Sequence, residues 1–236
     1  MFQRNALAVL GLVGFAAMGC SKESTSSTNI KTGGIAARID VYADTNTTAR
    51  VHVELVVGGT SSNTYVNLEG GDKLVAKAGD ESKTLTSTDT GVFDVTFSGV
   101  EAEEPISVSL ERPADTTAPG NSGTLPPPFD VEKPEAGKSR KTDDLAVAWA
   151  PSGSGDPMDL DFSGSCIYSN DKSVSDTGAY TVKKGTLEST GGEMPETCDL
   201  TLDIQRTRKG VADSAFDPES YFRLHQRRST SFTSLP

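Results

Sequence analysis

Nearly every stretch of this chain with a regular hydrophobic pattern repeats with a period of two, and none sustains the spacing of a helix. Ile35, Ala37, Ile39, Val41 and Ala43 fall on one side of an extended segment. After a polar break Val51, Val53, Leu55 and Val57 do the same. Shorter alternations follow at Tyr65 to Leu68, Leu74 to Ala76, Phe93-Val95-Phe97 and Ile106-Val108-Leu110. Successive side chains of a strand point to opposite faces, so each segment presents one apolar face that a second layer must cover. The breaks carry "GG", "EGGD" and "DTG", residues suited to tight turns between strands. The pattern predicts an all-β chain. Hydrophobic residues make up 35% of it, enough for small two-layer cores.

The alternation stops at "RPADTTAPGNSGTLPPPF" (Arg112 to Phe129), whose prolines lack amide donors and whose triple proline favours a stiff extended segment. It resumes with Leu145-Val147-Trp149, Leu160-Phe162, Tyr180-Val182, Leu200-Leu202-Ile204 and Phe222-Leu224. We therefore expect an N-terminal β-sandwich over 34–112, a Pro/Gly-rich linker over 113–126 and a C-terminal β-sandwich over 127–236. Each half carries its own apolar strands, so two separate cores are expected, with residues 125–236 able to fold alone.

The first twenty residues have the three-part build of an export signal: Arg4, an apolar run from Ala6 to Gly19, and small residues at its end. The run is shorter than the roughly 20 apolar residues that span a bilayer. Ala17-Met18-Gly19 before Cys20 resembles a bacterial lipobox, although Leu is usual where Ala17 stands. An ordinary secretory signal ending near a cysteine is the competing reading. The resemblance implies a lipoprotein signal peptide over 1–19, removed before Cys20, with diacylglycerol on the thiol and an acyl chain on the new amine. Ser21 resembles the pattern for sorting to an outer membrane. Residues 20–33, rich in Ser and Thr, read as the acylated cysteine and a flexible tether.

With Cys20 given to lipid, Cys166 and Cys198 remain as a pair, and disulfides persist in exported proteins. Free thiols are the alternative. The formal charge is −11, and loss of Arg4 with the signal makes it −12. Such a chain is ill suited to nucleic acid, whose phosphates need a basic face. It is also repelled by anionic headgroups, so acyl chains must do the holding.

"LAVAWAPS" (Leu145 to Ser152) resembles the B strand of fibronectin-III domains, and "DTGAYTV" (Asp176 to Val182) resembles an immunoglobulin tyrosine corner. The resemblance spans about residues 127 to 230 and implies an immunoglobulin-like or fibronectin-III-like sandwich. It departs from the immunoglobulin pattern in lacking a Cys two residues after Tyr180, and a further strand from Cys198 to Arg206 has to be placed. The whole is similar to uncharacterised bacterial envelope lipoproteins built of two such domains, which implies location and not activity.

Signs of chemistry are sparse. The two histidines, His52 and His225, alternate with apolar residues and read as outward-facing strand positions. No G-x-S-x-G occurs, and two histidines with two paired cysteines make a poor zinc set. Asp156, Asp159 and Asp161, with Asp171 and Asp176, allow either a loop calcium site or acidic residues that solvate turns. Arg206, Arg208, Arg223 and Arg227, with Lys209 and Arg228, concentrate positive charge late in an acidic chain. They allow cross-strand pairing with the chain's own carboxylates, or a patch for an anionic glycan or protein. We expect no catalytic residues, no metal and no cofactor. The expectation is a lipid-anchored, non-catalytic binding or structural module of the cell envelope, with an envelope protein or glycan as partner. The alternative is a polysaccharide-binding or carbohydrate-active accessory lipoprotein using Tyr42, Tyr65, Tyr168 and Tyr221 as sugar platforms.

Overall fold

The alternating segments become strands, and their apolar sides become two clusters on the same side of one long sheet. The computed structural model describes residues 22–191 and 196–236; the signal peptide and Cys20 lie outside them. The described chain is almost wholly β. Its strands are β1 (Glu23–Ser26), β2 (Ile35–Ala43), β3 (Thr48–Val57), β4 (Thr64–Asn67), β5 (Lys73–Ala78) and β6 (Glu81–Thr84). There follow β7 (Thr86–Asp89), β8 (Val92–Ser98), β9 (Pro105–Glu111), β10 (Ala118–Thr124), β11 (Lys138–Ser139) and β12 (Leu145–Ala148). The last five are β13 (Met158–Ser163), β14 (Asn170–Val174), β15 (Ala179–Val182), β16 (Cys198–Lys209) and β17 (Tyr221–Leu235).

The main sheet runs β1-β4-β3-β2-β17-β16-β13-β14, with β8 and β7 beside β3 and β11 beside the end of β17. A second sheet, β10-β9-β5-β6, covers the first cluster, and the pair β12-β15 covers the second. Ile39, Val41, Val51, Val53, Phe97, Ile106 and Leu110 are central to the first core. Trp149, Leu160, Phe162, Leu202 and Ile204 are central to the second.

The two cores do not follow the expected division of the chain at 113–126. Strand β17 pairs in parallel with β2 from Tyr221↔Arg38 to Gln226↔Ala43, and antiparallel with β16 from Lys209↔Arg223 to Cys198↔Ser234. Phe222 and Leu224 therefore pack in the first core, as does Phe216 before them, while Phe232 packs in the second. The reason is length: at about 3.3 Å per residue a 15-residue strand spans roughly 45 Å, enough to cross both cores.

Two segments expected to be irregular are ordered. The linker contains β10, which pairs with β9 through a bulge between Ala118 and Asn121. The bulge takes Pro119 and Gly120 off the ladder, and buried Asn121 donates from Nδ2 to the Val108 and Ala118 carbonyls there. The tether, from Lys22 onward, is folded too. Strand β1 pairs in parallel with β4, and two short 3-10 turns follow, with Ser27 and Thr32 buried. Arg112, at the end of β9, reaches this segment. It donates to the Ser27 carbonyl at 2.6 Å and the Ile30 carbonyl at 3.0 Å, and it pairs with Asp72 at 2.9 Å. A Ser/Thr-rich sequence is thus held by one distant guanidinium.

Cys166 and Cys198 are joined, 32 positions apart, tying the loop after β13 to the start of β16. Closing a loop of that length stabilises by roughly 3–4 kcal/mol in the chain-entropy model. Because β17 serves both cores, the fragment 125–236 is expected to stay largely unfolded or aggregate even when oxidised, with Phe222 and Leu224 uncovered. The whole chain should melt as one unit. Emission of Trp149, buried in the second core, reports this directly. A fragment melting cooperatively at the midpoint of the whole chain would show that β17 and the second core stand without β2 and the first core. Leu224→Ala, though late in the sequence, should cost about 2–5 kcal/mol through the first core.

Candidate functional site on the outward face of the shared sheet

The four arginines, for which both self-pairing and a partner patch were open, do not gather on one face. In the β16–β17 ladder Arg206 lies opposite Gln226 and Arg208 opposite Leu224, whereas Arg223 lies opposite Lys209 and Arg227 opposite Gln205. Alternation then sends Arg206 and Arg208 to the inner face and Arg223 and Arg227 to the outer one. Each is paired with a carboxylate of the chain: Arg206 with Asp176, Arg208 with Asp156 and Glu103, Arg223 with Asp40, and Arg227 with Asp44.

Arg206 and Arg208 sit at the seam between the cores and hold the Pro-rich crossing onto the sheet. Arg206 is fully buried; it donates to the Pro127 carbonyl at 2.6 Å and the Ala150 carbonyl at 3.0 Å, and lies over the Phe129 ring. Arg208 donates to Thr124 Oγ1 at 2.9 Å and to the Leu125 carbonyl. A triple proline offers carbonyls and no amides, so long fork-shaped donors are what such a segment needs. Asp176 completes the seam. Burial opposes its charge, but the Ser152 amide and hydroxyl, the Trp149 indole N–H and Arg206 all donate to it and hold its carboxyl at about 2. The motif resembling a tyrosine corner is thus anchored through its Asp.

On the outer face Asp40 of β2 is the hub. It accepts from Arg223 Nε at 2.9 Å, from His225 Nε2 at 2.9 Å and from the Tyr221 hydroxyl at 3.3 Å. Burial opposes its ionisation; the His225 and Arg223 hydrogen bonds outweigh that and hold the carboxyl below its usual range. His225, expected on the surface, is buried, stacked on Tyr42 with ring centroids 5.0 Å apart. A carboxylate only accepts, so Nε2 carries a proton, and Nδ1 faces the Thr207 hydroxyl at 3.1 Å. One strand over, His52 lies opposite Asp40, and its Nδ1 is 2.9 Å from Asp94, which also accepts from Arg50. Burial raises the phenol pKa of Tyr42 and Tyr221. Guanidiniums cover both rings: Arg227 and Arg50 lie over Tyr42, and Arg223 lies 3.9 Å from the Tyr221 centroid.

Toward the far edge the face turns acidic. Asp171, Asp161 and Asp203 stand directly opposite one another on β14, β13 and β16. With Asp44, Asp159 and Arg227 they line an open groove of about 550 Å³. Three like charges in a cross-strand row repel, and exposure to water makes the row tolerable. The other acids of the two candidate calcium loops went elsewhere, Asp156 to Arg208 and Asp176 to Arg206. Among the described residues no group of three or more His, Cys, Asp or Glu side chains is arranged to hold a metal ion. Asp40 is the group that sequence reasoning missed, while Asp176, read there as a loop carboxylate, is the partner of Arg206. The outward triplet Arg38-Asp40-Tyr42, on a strand whose other side is wholly apolar, was the available signal for the first.

No protein-family model matches the sequence, and no curated protein matches it. Among solved structures the chain is similar to a transglutaminase from red sea bream, with a TM-score of 0.25 and 13% identity over 88% of this chain and 32% of that one. It is similar to a type I pullulanase from Bacillus subtilis complexed with maltose, with a TM-score of 0.20 and 8% identity over 78% of this chain and 24% of the enzyme. The third is a DUF3823 family protein from Parabacteroides merdae, with a TM-score of 0.23 and 9% identity over 83% of this chain and 99% of that one. The chain spans about a third and a quarter of the first two proteins. At scores this low the likenesses carry no argument about activity.

Two outcomes test the site. Asp176→Asn leaves Arg206 buried without its counter-charge and should cost roughly 3–5 kcal/mol. Because the folded pKa of Asp176 lies below the unfolded value, its contribution is complete above about pH 4 and lost as pH falls to about 2. The loss should be roughly 2 kcal/mol in chemical denaturation across that window, and absent from the variant.

Proposed function

We infer that this protein is a lipid-anchored module of the cell envelope, sorted to an outer membrane, which binds or braces a partner without catalysis. The observation that carries the reading is the disulfide. Cys166 and Cys198 are joined, as suits an oxidising compartment, which leaves Cys20 as the remaining cysteine, at the end of a lipobox-like run. Three acyl chains, at about 0.8 kcal/mol per buried methylene, give ample retention where one is marginal. Outer-face geometry supports the absence of catalysis. Thr207, His225 and Asp40 are linked as in a proton relay, but Thr207 sits near the end of β16 opposite His225, and its amide is given to the Pro157 carbonyl. That amide is therefore not free to stabilise an oxyanion beside the Thr207 hydroxyl. The alternative of a glycan-binding face is weakened by the arginines over Tyr42 and Tyr221, since a sugar stacks on a bare ring. Binding in this reading belongs to the charged outer face and the loops at its ends.

The test is Cys20→Ala. The natural protein should partition into the detergent phase, and its mature N-terminal peptide should carry the mass of three acyl chains; the variant should be soluble or uncleaved. A variant that still partitions fully with membranes would sink the reading.

A further inference from the structure

We propose that the body sits directly on the lipid surface, end-on, through the β3–β4 loop Gly58 to Asn63. This rests on the lipid-anchor reading above and adds a surface and an orientation to it. Chain length fixes how far an anchor at Cys20 can stand from the fold. Two residues of fully extended chain reach about 7 Å, so Cys20 lies within that distance of Lys22. Lys22 is already fixed: its ammonium pairs with Asp89 and lies over the Tyr65 ring. Glu23 then enters β1 opposite Thr64, the first residue of β4. The acyl anchor is therefore held beside the loop that precedes Thr64, with no spacer between lipid and fold.

The chemistry of that loop suits a lipid surface. "GGTSSN" carries no charge in a chain of net −11, so it brings hydroxyls and amides, and not carboxylates, to anionic headgroups. The carboxylate of Glu219, which approaches it, is turned onto the Thr60 amide at 2.8 Å and the Thr60 hydroxyl at 3.2 Å. Gly59 makes this possible: at φ +88° a Cβ there would lie 2.6 Å from the Glu219 carboxylate. Strands β1, β4, β2 and β17 all run in one direction, away from this end. The second core's disulfide, level with Ser234 of β17, then stands some 45 Å further along the strands.

The experiment uses the full acylated protein in phosphatidylethanolamine/phosphatidylglycerol vesicles containing a headgroup-nitroxide lipid. Single variants Ser61→Cys and Lys141→Cys, both at exposed positions, carry a fluorophore near and far from the proposed seat. Vesicle flotation reports the anchor, and quenching reports the seat. Ser61 label should be quenched several-fold more than Lys141 label. A Gly/Ser insert of about 12 residues between Ser21 and Lys22 should remove most of that difference while flotation is unchanged. Asn63→Cys replaces Ser61→Cys if the latter misfolds. Flotation with equal quenching at the two ends, or a difference that survives the insert, overturns the seat alone. Failure to float overturns the anchor and the seat together.

Discussion

The structure depends on one strand being hydrogen-bonded along both edges to different parts of the chain. β17 gives its first six residues to β2 in parallel and twelve to β16 antiparallel. Sequence-distant elements are thereby locked into a single sheet. A parallel pair needs a crossover, and here that crossover is most of the protein, from β2 to β17. The contact is non-local in the extreme, so the loop entropy of joining residues about 180 apart in sequence must be met before either core is complete. The cores then supply what the ladder alone lacks, since Phe222 and Phe232, ten residues apart, are each fully committed to different apolar clusters.

Where the cores meet, the sheet's inner face is polar. Arg206 and Arg208 interrupt an otherwise apolar row, and their partners come from the Pro-rich crossing and the loop around Asp176. A buried ion pair is weak evidence for stability, because desolvating two charges offsets much of their attraction. Its value here is positional. Apolar residues in the same places would fuse the two clusters into one and leave the proline carbonyls without donors. Hub and seam divide the work: Asp40 fixes the outer face of the shared sheet, Asp176 the inner.

Much of this was legible in the sequence, and the losses have a common cause. The alternating apolar segments became strands because their pattern is local. The disulfide followed from cysteine bookkeeping and compartment. What was hidden depends on partners far away in the chain. "SKESTSSTN" looks like a solvated tether until Arg112, some 80 residues on, supplies donors for its carbonyls. Residues 118–124 look unfit for a strand until Asn121 repairs the bulge that removes Pro119. His225 looks exposed because its strand neighbours alternate; Tyr42 and Asp40, from the parallel partner, bury it. The arginines left pairing and a patch both open because spacing along a strand says which residues share a face, but not where the next strand's register places its own.

The parallel pairing of β1 with β4 has a mechanical side. A pull on the chain at Lys22, directed away from the body, acts along the axis of β1 and not across it. The four residue pairs from Glu23↔Thr64 to Ser26↔Asn67 then bear the load together, in shear, instead of opening one after another as a zipper would. Behind them the Arg112 guanidinium grips the Ser27 and Ile30 carbonyls and acts as a second stop. Tension at the Lys22 end is thus passed into the sheet as a whole.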